Sequence, residues 1–133
     1  MTSETLSVGI IGCGTTGRGH ANAYLSHDRT EVVAGAERVP ETRAAFERDY
    51  DVGRVYADHE AMLEEESLDV VSVCTFHATH ARLAVDAAEH GAGAVFCEKP
   101  MCTNLGEARE MLAAADRNDV VLTVGHQRRF PPV

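Results

Sequence analysis

The sequence contains a single lysine, Lys99, although twelve of its 133 residues are Lys or Arg. The 21 Asp and Glu residues outnumber these basic residues and bring the formal net charge to −9. A charge of this sign repels nucleic acid and anionic membrane surfaces, so neither is expected as a partner. An acidic chain with almost no lysine also indicates a salt-adapted source, a possible halophile, or a source with GC-rich DNA.

Other absences narrow the classes of protein further. The four cysteines form no Cys-x-x-Cys pair, and three of them lie in or beside apolar segments, as reduced thiols do. No apolar run approaches the roughly 20 residues that span a bilayer, and the N-terminus lacks the pattern of a signal peptide. The seven histidines show no His-Glu-x-x-His motif and no paired ligand spacing. We therefore expect a cytoplasmic protein without a metal site.

The length and composition suit one globular domain with a single core. Short β-branched runs recur along the chain, and several of them are apolar at nearly every position, as in parallel strands buried on both faces. They predict six strands, over residues 6–11, 31–34, 54–56, 70–75, 94–97 and 120–124. Helical segments separate these strands. The alternation predicts an α/β fold, a doubly wound parallel sheet of the Rossmann type.

The helical segments carry their own signals. Asn104 and Glu107 have capping-box spacing at the start of a helix, and Pro40 suits the first position of another. The latter helix is expected to turn Ala44, Ala45 and Phe46 inward. A helix over residues 79–90 with Gly91 after it buries Leu83, Ala84 and Ala87, and the weakest helix spans residues 60–65. The helix after Asn104 is expected to bury an apolar stripe made of Leu105, Ala108, Met111, Leu112 and Ala115.

A glycine-rich loop, Gly12-x-Gly14-x-x-Gly17, directly follows the first predicted strand and opens the first helix. Gly12 permits a tight turn, Gly14 lets a pyrophosphate approach the backbone, and Gly17 lets helix and strand pack closely. The N–H groups of the first helical turn, which begins at Thr15 and Thr16, would bind the phosphates. Glycine triplets also occur in flavin sites, in methyl-donor sites and in turns without a function.

An acid at the end of the second strand strengthens the dinucleotide interpretation. Glu37 follows Gly17 by twenty residues, where a carboxylate can accept hydrogen bonds from the adenosine ribose. The alternative is a solvated acid at a strand end. Arg38 beside it could hold a 2′-phosphate or stack on adenine. The cofactor is therefore NAD or NADP, and Glu37 slightly favours NAD.

With these motifs the sequence resembles the N-terminal half of the Gfo/Idh/MocA family, named after glucose-fructose oxidoreductase and inositol dehydrogenase. The resemblance covers nearly the whole chain. It rests on the glycine loop with His20 after it, on residues 75–80, on Glu98-Lys99-Pro100, and on residues 125–130. It implies an NAD(P)-dependent oxidoreductase that acts on a small molecule such as a sugar, polyol or cyclitol.

The resemblance also implies roles for individual residues. Lys99 would be the catalytic residue beside nicotinamide and substrate, and Thr75, His80 and Glu98 would belong to the cofactor site. The alternative for Lys99 is a surface ion pair worth ~0 to 1 kcal/mol, and His80 could serve only to orient its loop. This chain has Phe76 and His77 where the family usually has Pro and often Asn. Whether the Lys99–Pro100 bond is cis is left open by the sequence.

The resemblance divides the chain into a dinucleotide-binding domain, residues 1–125, and the start of a connection, residues 126–133, whose Arg128, Arg129 and Phe130 could instead be a solvated basic end. The family's second α/β domain, with most substrate contacts and the oligomer surface, is expected to be absent, so the chain is expected to be inactive alone. The chain would then be the dinucleotide-binding half of an NAD(P)-dependent oxidoreductase. The alternative is a stand-alone NAD(P)-binding module without turnover.

Overall fold

A computed structural model describes residues 4–129 of the chain. Its strands are β1 Leu6–Ile11, β2 Thr30–Ala36, β3 Arg54–Tyr56, β4 Val70–Val73, β5 Ala94–Cys97 and β6 Val121–Val124. Its α-helices are α1 Thr15–Leu25, α2 Pro40–Asp49, α3 His59–Glu65, α4 His80–Glu89 and α5 Leu105–Arg117. Short 3-10 turns occupy His77–Thr79 and Gln127–Arg129. The end of the predicted connection, including Phe130, lies outside the described residues.

All six strands are parallel and follow the order β3-β2-β1-β4-β5-β6. The predicted doubly wound α/β fold is therefore confirmed. The chain starts in the middle of the sheet, runs outward to β3, and returns to the other side of β1 at β4. In such sheets ligands bind beyond the carboxyl ends of the strands, where the order reverses. Here that position lies between β1 and β4.

Apolar side chains cover both faces of the sheet. On one face Val8, Ile10 and Val32 pack against α1 and α2, with Phe46 fully buried. On the other face the larger cluster joins β4 and β5 to α3, α4 and α5. Central strands buried on both faces explain why their sequences are apolar rather than alternating. No helix within residues 4–129 combines the length and the apolar content needed to cross a membrane.

Three strands have the predicted bounds and the other element boundaries differ by at most two residues, but two predicted apolar faces are partly wrong. On α5, Met111, Ala114 and Ala115 are buried, whereas Leu105 and Leu112 are mostly exposed. Successive residues are about 100° apart around a helix, so these leucines lie at least a quarter turn from the buried line through Met111. On α2, Phe46 is buried while Ala44 is exposed, because residues two apart lie about 200° from each other around a helix.

Helix caps follow the sequence signals. The Asn104 side chain accepts a bond from the Glu107 N–H at 2.9 Å, as predicted for the start of α5. Glu107 reaches back to the N–H of Thr103 rather than to that of Asn104, so the box is one residue longer than its usual form. After α4, Gly91 adopts a φ of +91°, the conformation in which glycine commonly ends a helix.

Candidate dinucleotide cleft

The loop between β1 and α1 brings backbone close to the carboxyl edge of the sheet. Gly12 has a φ of +92°, and its N–H donates to the Ala36 carbonyl at 2.8 Å. A Cβ at Gly12 would lie 2.7 Å from the Cys74 carbonyl oxygen, where β1 and β4 adjoin. A Cβ at Gly17 would overlap the carbonyl oxygen of Gly12. These two glycines therefore allow the loop, the helix and the neighbouring strand to pack together.

Gly14 differs from both of these glycines. Its φ is −81°, and a Cβ placed there would meet no atom within 4 Å. Gly14 is the N-cap of α1 and offers no side-chain cap, the first turn contains no acid, and Thr15 and Thr16 are exposed. The N–H groups at the positive end of the helix dipole are thus free to bind an anion. The open space at Gly14 and these free donors fit the pyrophosphate of a dinucleotide.

Glu37 follows β2 and turns its carboxylate toward the glycine loop. Its Oε1 accepts the Cys13 N–H at 3.0 Å, and its Oε2 accepts the Val39 N–H at 2.9 Å. These two bonds fix the carboxylate next to the loop that would receive the cofactor. Arg38 is exposed beside it, and Arg43 donates to the Glu37 carbonyl oxygen at 2.8 Å. The site therefore combines a fixed acid with two nearby guanidinium groups.

The segment after β4 faces the same edge of the sheet. Thr75 and Thr79 share a hydroxyl–hydroxyl bond of 2.6 Å, and Phe76 packs its exposed ring against His77. His80 is only 1% exposed, and its ring nitrogens lie 2.8 Å from the Pro100 carbonyl oxygen and 2.9 Å from that of Thr75. No ring nitrogen of His80 is left for a cofactor. The structure thus places His80 as a support of its loop.

Glu98, Lys99 and Pro100 follow β5, and the Lys99–Pro100 peptide bond is cis. Lys99 is exposed, whereas the Glu98 side chain is 18% exposed and both of its oxygens have protein partners. Glu98 therefore supports the segment rather than offering a free carboxylate to the cofactor. A cavity of about 640 Å³ opens beside Lys99. Its lining consists of Lys99, Gly125, His126, Gln127, Arg128 and Arg129.

Two further residues, His20 and Ser72, join the glycine-loop helix to Glu98. The His20 ring nitrogens lie 2.8 Å from Glu98 Oε1 and 3.1 Å from the Ser72 hydroxyl. The sequence singles out His20 only through the family resemblance, and it does not single out Ser72. A serine inside an otherwise apolar strand was the available signal, since a buried hydroxyl needs a partner.

One cluster in the described part of the chain groups possible metal ligands away from this cleft. Donor atoms of His59, Glu60 and Asp86 all lie within 4.8 Å of one another. The Arg82 guanidinium pairs with Glu60 at 3.0 Å and lies 3.7 Å from Asp86, so a positive charge already faces both carboxylates.

Comparisons with known proteins agree with this geometry. A sequence profile of the Gfo/Idh/MocA oxidoreductase family, described as having an NAD-binding Rossmann fold, matches residues 6–126. D-apiose dehydrogenase of Paraburkholderia graminis is 37% identical over 123 residues, which cover 92% of this chain and 32% of that protein. D-glucoside 3-dehydrogenase of Escherichia coli is also 37% identical, with 98% and 37% covered.

A solved structure is similar over the same region. The WlbA dehydrogenase of Bordetella pertussis, in complex with NADH and UDP-GlcNAcA, superimposes with a TM-score of 0.91 at 30% identity. The match covers 96% of this chain and 38% of that one. The chain thus spans about a third of the length of the proteins that it matches.

Proposed function

Because the chain belongs to the Gfo/Idh/MocA family of oxidoreductases and forms its NAD-binding Rossmann domain, we propose that it holds the dinucleotide of a dehydrogenase for small hydroxylated molecules. The reaction would transfer a hydride between nicotinamide and a hydroxyl or carbonyl carbon of a sugar, polyol or cyclitol. The observation that carries this proposal is the open backbone at Gly14 beside the uncapped N-terminus of α1.

In this proposal the two ends of the dinucleotide have different partners. The pyrophosphate would accept bonds from the N–H groups of Thr15 and Thr16. The adenosine ribose would lie against Glu37, whose carboxylate is held in place by Cys13 and Val39. A carboxylate accepts from ribose hydroxyls and repels a 2′-phosphate, which supports NAD over NADP. Arg38 is the residue that could reverse this preference.

Lys99 is the proposed catalytic residue. It is the only lysine of the chain, it is exposed at the carboxyl end of β5, and it borders the cavity described above. An ammonium group there can hydrogen-bond the reacting hydroxyl and stabilise the negative charge that develops on its oxygen. Thr75 lies at the adjoining edge after β4, where it would line the nicotinamide half of the cleft.

Titration of the chain with NADH and NADPH tests the cofactor assignment. Removing a charged acceptor from a ribose contact typically costs about 1.5 to 3 kcal/mol, so Glu37→Ala should weaken NADH binding by roughly tenfold or more. Glu41→Ala is the matched control, because Glu41 is an exposed acid on the neighbouring helix α2. Unchanged NADH affinity in Glu37→Ala would refute the ribose assignment. A selective loss of NADPH affinity in Arg38→Ala would reverse the cofactor preference.

We also propose a cytoplasmic location for this domain. The four cysteines are all free, and each is buried or half-buried. Unpaired thiols persist in reducing compartments, which supports the cytosol. Fractionation of the native source, followed by detection of the chain, would test this assignment. Recovery in a secreted or membrane fraction would contradict it.

A further inference from the structure

A histidine of the glycine-loop helix reaches across the sheet to the segment that carries Lys99. His20 lies on α1, one turn after Gly17, and its side chain is 13% exposed. Its Nε2 is 2.8 Å from Glu98 Oε1, a residue 78 positions later in the sequence. The ring also packs edge-on against Phe96 of β5, with centroids 4.9 Å apart. The His20 ring is therefore held by both a polar and an apolar contact.

The other ring nitrogen of His20 ends a chain of hydroxyl groups. Because a carboxylate only accepts, Nε2 must carry the proton that bonds Glu98. In the neutral ring Nδ1 then accepts from the Ser72 hydroxyl at 3.1 Å, and Ser72 accepts from the Tyr24 hydroxyl at 2.7 Å. Burial raises the pKa of Tyr24, so its hydroxyl keeps the proton that it donates. Along this row of side chains, from Tyr24 through Ser72 and His20 to Glu98, each hydrogen bond joins a donor to an acceptor.

Glu98 connects the His20 ring to the backbone of Lys99. Its Oε2 accepts the backbone N–H of Lys99 at 3.2 Å, while its own N–H donates to the Val73 carbonyl at 3.0 Å. A Cβ at Gly125 would lie 3.2 Å from both carboxylate oxygens, so the carboxylate packs directly on the backbone of that glycine. The Glu98 carboxylate is therefore confined from several sides, and His20 supplies its only side-chain hydrogen bond in the described part of the chain.

A second histidine holds the other end of the same segment. His80, at the start of α4, places one ring nitrogen 2.8 Å from the Pro100 carbonyl oxygen and the other 2.9 Å from that of Thr75. Because both oxygens only accept, the neutral ring donates a hydrogen bond to one of them at a time. The His80 side chain is 1% exposed, so protein atoms enclose it. His80 thus ties the segment after β5 to the loop after β4. Between the two histidine contacts, the Lys99 side chain remains exposed.

We propose that His20 and His80 are positioning residues, which clamp Glu98-Lys99-Pro100 from its two ends and so hold Lys99 at the edge of the dinucleotide cleft. This inference rests on the proposed role of Lys99. The ring nitrogens of both histidines face protein atoms. Since His20 belongs to the helix whose N-terminus would receive the pyrophosphate, the clamp also connects the phosphate end of the cleft to the lysine.

The first experiment measures Lys99 without any ligand. Hydrogen exchange of the Lys99 amide reports its bond to Glu98, and His20→Phe keeps the ring while removing both nitrogens. We expect exchange at Lys99 to accelerate roughly tenfold, as for loss of one modest hydrogen bond. His20→Gln, which retains one donor for Glu98, should restore most of the protection. His59→Phe is the matched control, because His59 pairs with Asp86 at the same distance of 2.8 Å and is 15% exposed.

The second experiment asks where the lysine side chain lies. Because Lys99 is the only lysine, its acetylation by an amine reagent can be followed by peptide mass without interference. In the parent chain we expect bound NADH to slow this reaction at least about fivefold. His20→Phe and His80→Gln should bind NADH within about threefold of the parent and lose most of that protection, whereas His59→Phe should keep it. Melting curves establish that each variant is folded.

The possible outcomes separate the two proposals. If the parent chain does not bind NADH, the proposed function fails, whatever the exchange of Lys99 shows. If NADH binds, and the His20→Phe chain shows parental exchange and parental protection of Lys99, then Glu98 holds the lysine without the histidine and the clamp is overturned. Equal effects of His20→Phe and His59→Phe would also overturn it, because the loss would then be general rather than specific to this segment.

Discussion

The two ends of the cleft are built in different ways. The glycine-loop end comes from one continuous stretch, from β1 through α1 to Glu37, and backbone groups form most of its contacts. The lysine end is assembled from residues far apart in sequence, with His20 on α1, Ser72 on β4 and Glu98 after β5. The first end therefore depends on local backbone geometry. The second depends on the order of the strands, which brings side chains from three elements together.

The largest expected effect distinguishes two glycines within the glycine-loop end. Gly17→Ala should lower the free energy of unfolding by about 3 kcal/mol or more, because its Cβ would overlap the Gly12 carbonyl oxygen and force the loop or the helix to shift. Gly14→Ala should change stability by no more than about 1 kcal/mol, because the lower entropy of the unfolded chain is offset by the poorer N-cap that Ala provides for α1. The same Cβ would occupy the approach to the pyrophosphate, so NADH affinity should fall roughly tenfold.

Urea unfolding and NADH titration of both variants check this prediction. A stable Gly17→Ala protein would mean that α1 can shift away from the loop. A Gly14→Ala protein with parental NADH affinity would mean that the pyrophosphate does not approach at that position. The glycine-loop end of the cleft would then not be the phosphate site.

At the lysine end, the next largest effect concerns turnover. The test uses a fusion of this chain to the portion of D-apiose dehydrogenase beyond the matched region, because the match covers only 32% of that protein. In an active fusion, Lys99→Ala should lower turnover of D-apiose by roughly a hundredfold or more, the scale of losing one acid/base or charge-stabilising group. NADH affinity should change little. The measurement is steady-state kinetics together with NADH titration.

Lys99→Arg is the informative companion variant. It keeps the charge and changes its shape and its ability to give up a proton. A rate close to the parent in Lys99→Arg would assign the residue an electrostatic role alone. A near-normal rate in Lys99→Ala would reduce Lys99 to an exposed surface charge, and the proposed catalytic role would be rejected.

The same contrast explains how far the sequence could predict the structure. The glycine spacing and the interval to Glu37 lie within one strand-helix-strand unit, so local rules were enough to place them. The bond between His20 and Glu98 depends on β4 and β5 lying beside β1, which local patterns do not contain. Leu105 and Leu112 were assigned to the core because apolar spacing alone does not show which side of α5 meets the sheet.

A third prediction concerns two thiols: Cys13 lies at the glycine-loop end of the cleft, and Cys97 lies at the lysine end. Burial, with a smaller contribution from Glu37, raises the pKa of Cys13 from 9.0 to about 12. Burial and then Glu98 raise the pKa of Cys97 to about 12. The unfolded chain loses these protons first, near pH 9, so the stability from each neutral buried thiol is present below that pH and is lost as the pH rises toward 12. Between pH 9 and 10 the loss should be roughly 1 kcal/mol per thiol.

Urea unfolding at pH 8, 9 and 10 measures this slope. Cys13→Ala and Cys97→Ala should each reduce it by a similar amount, although the two thiols lie at opposite ends of the cleft. Cys102→Ala serves as the control on a half-buried cysteine. A slope that survives both substitutions would show that other groups control alkaline unfolding, such as Cys74 and Tyr56, whose pKa values burial also raises.

The smallest expected effect comes from salt, and it should act on the surface more than on the clamp. With a net charge of −9, exposed acids repel one another over the whole molecule, and molar KCl reduces that repulsion. We expect the melting temperature to rise by about 2 to 5 °C between low salt and 1 M KCl. Melts near the isoelectric point of about 5.1 should lose this dependence.

The pair between His20 and Glu98 is 13% and 18% exposed, and buried pairs are screened much less than surface charges. Exchange of the Lys99 amide, corrected for its intrinsic rate, should therefore change less than twofold over the same range of salt. A melting temperature that does not respond to KCl would leave the arginine-rich composition as a property of the coding DNA. A Lys99 amide that loses protection in step with added salt would show that the clamp is held by exposed charge rather than by buried hydrogen bonds.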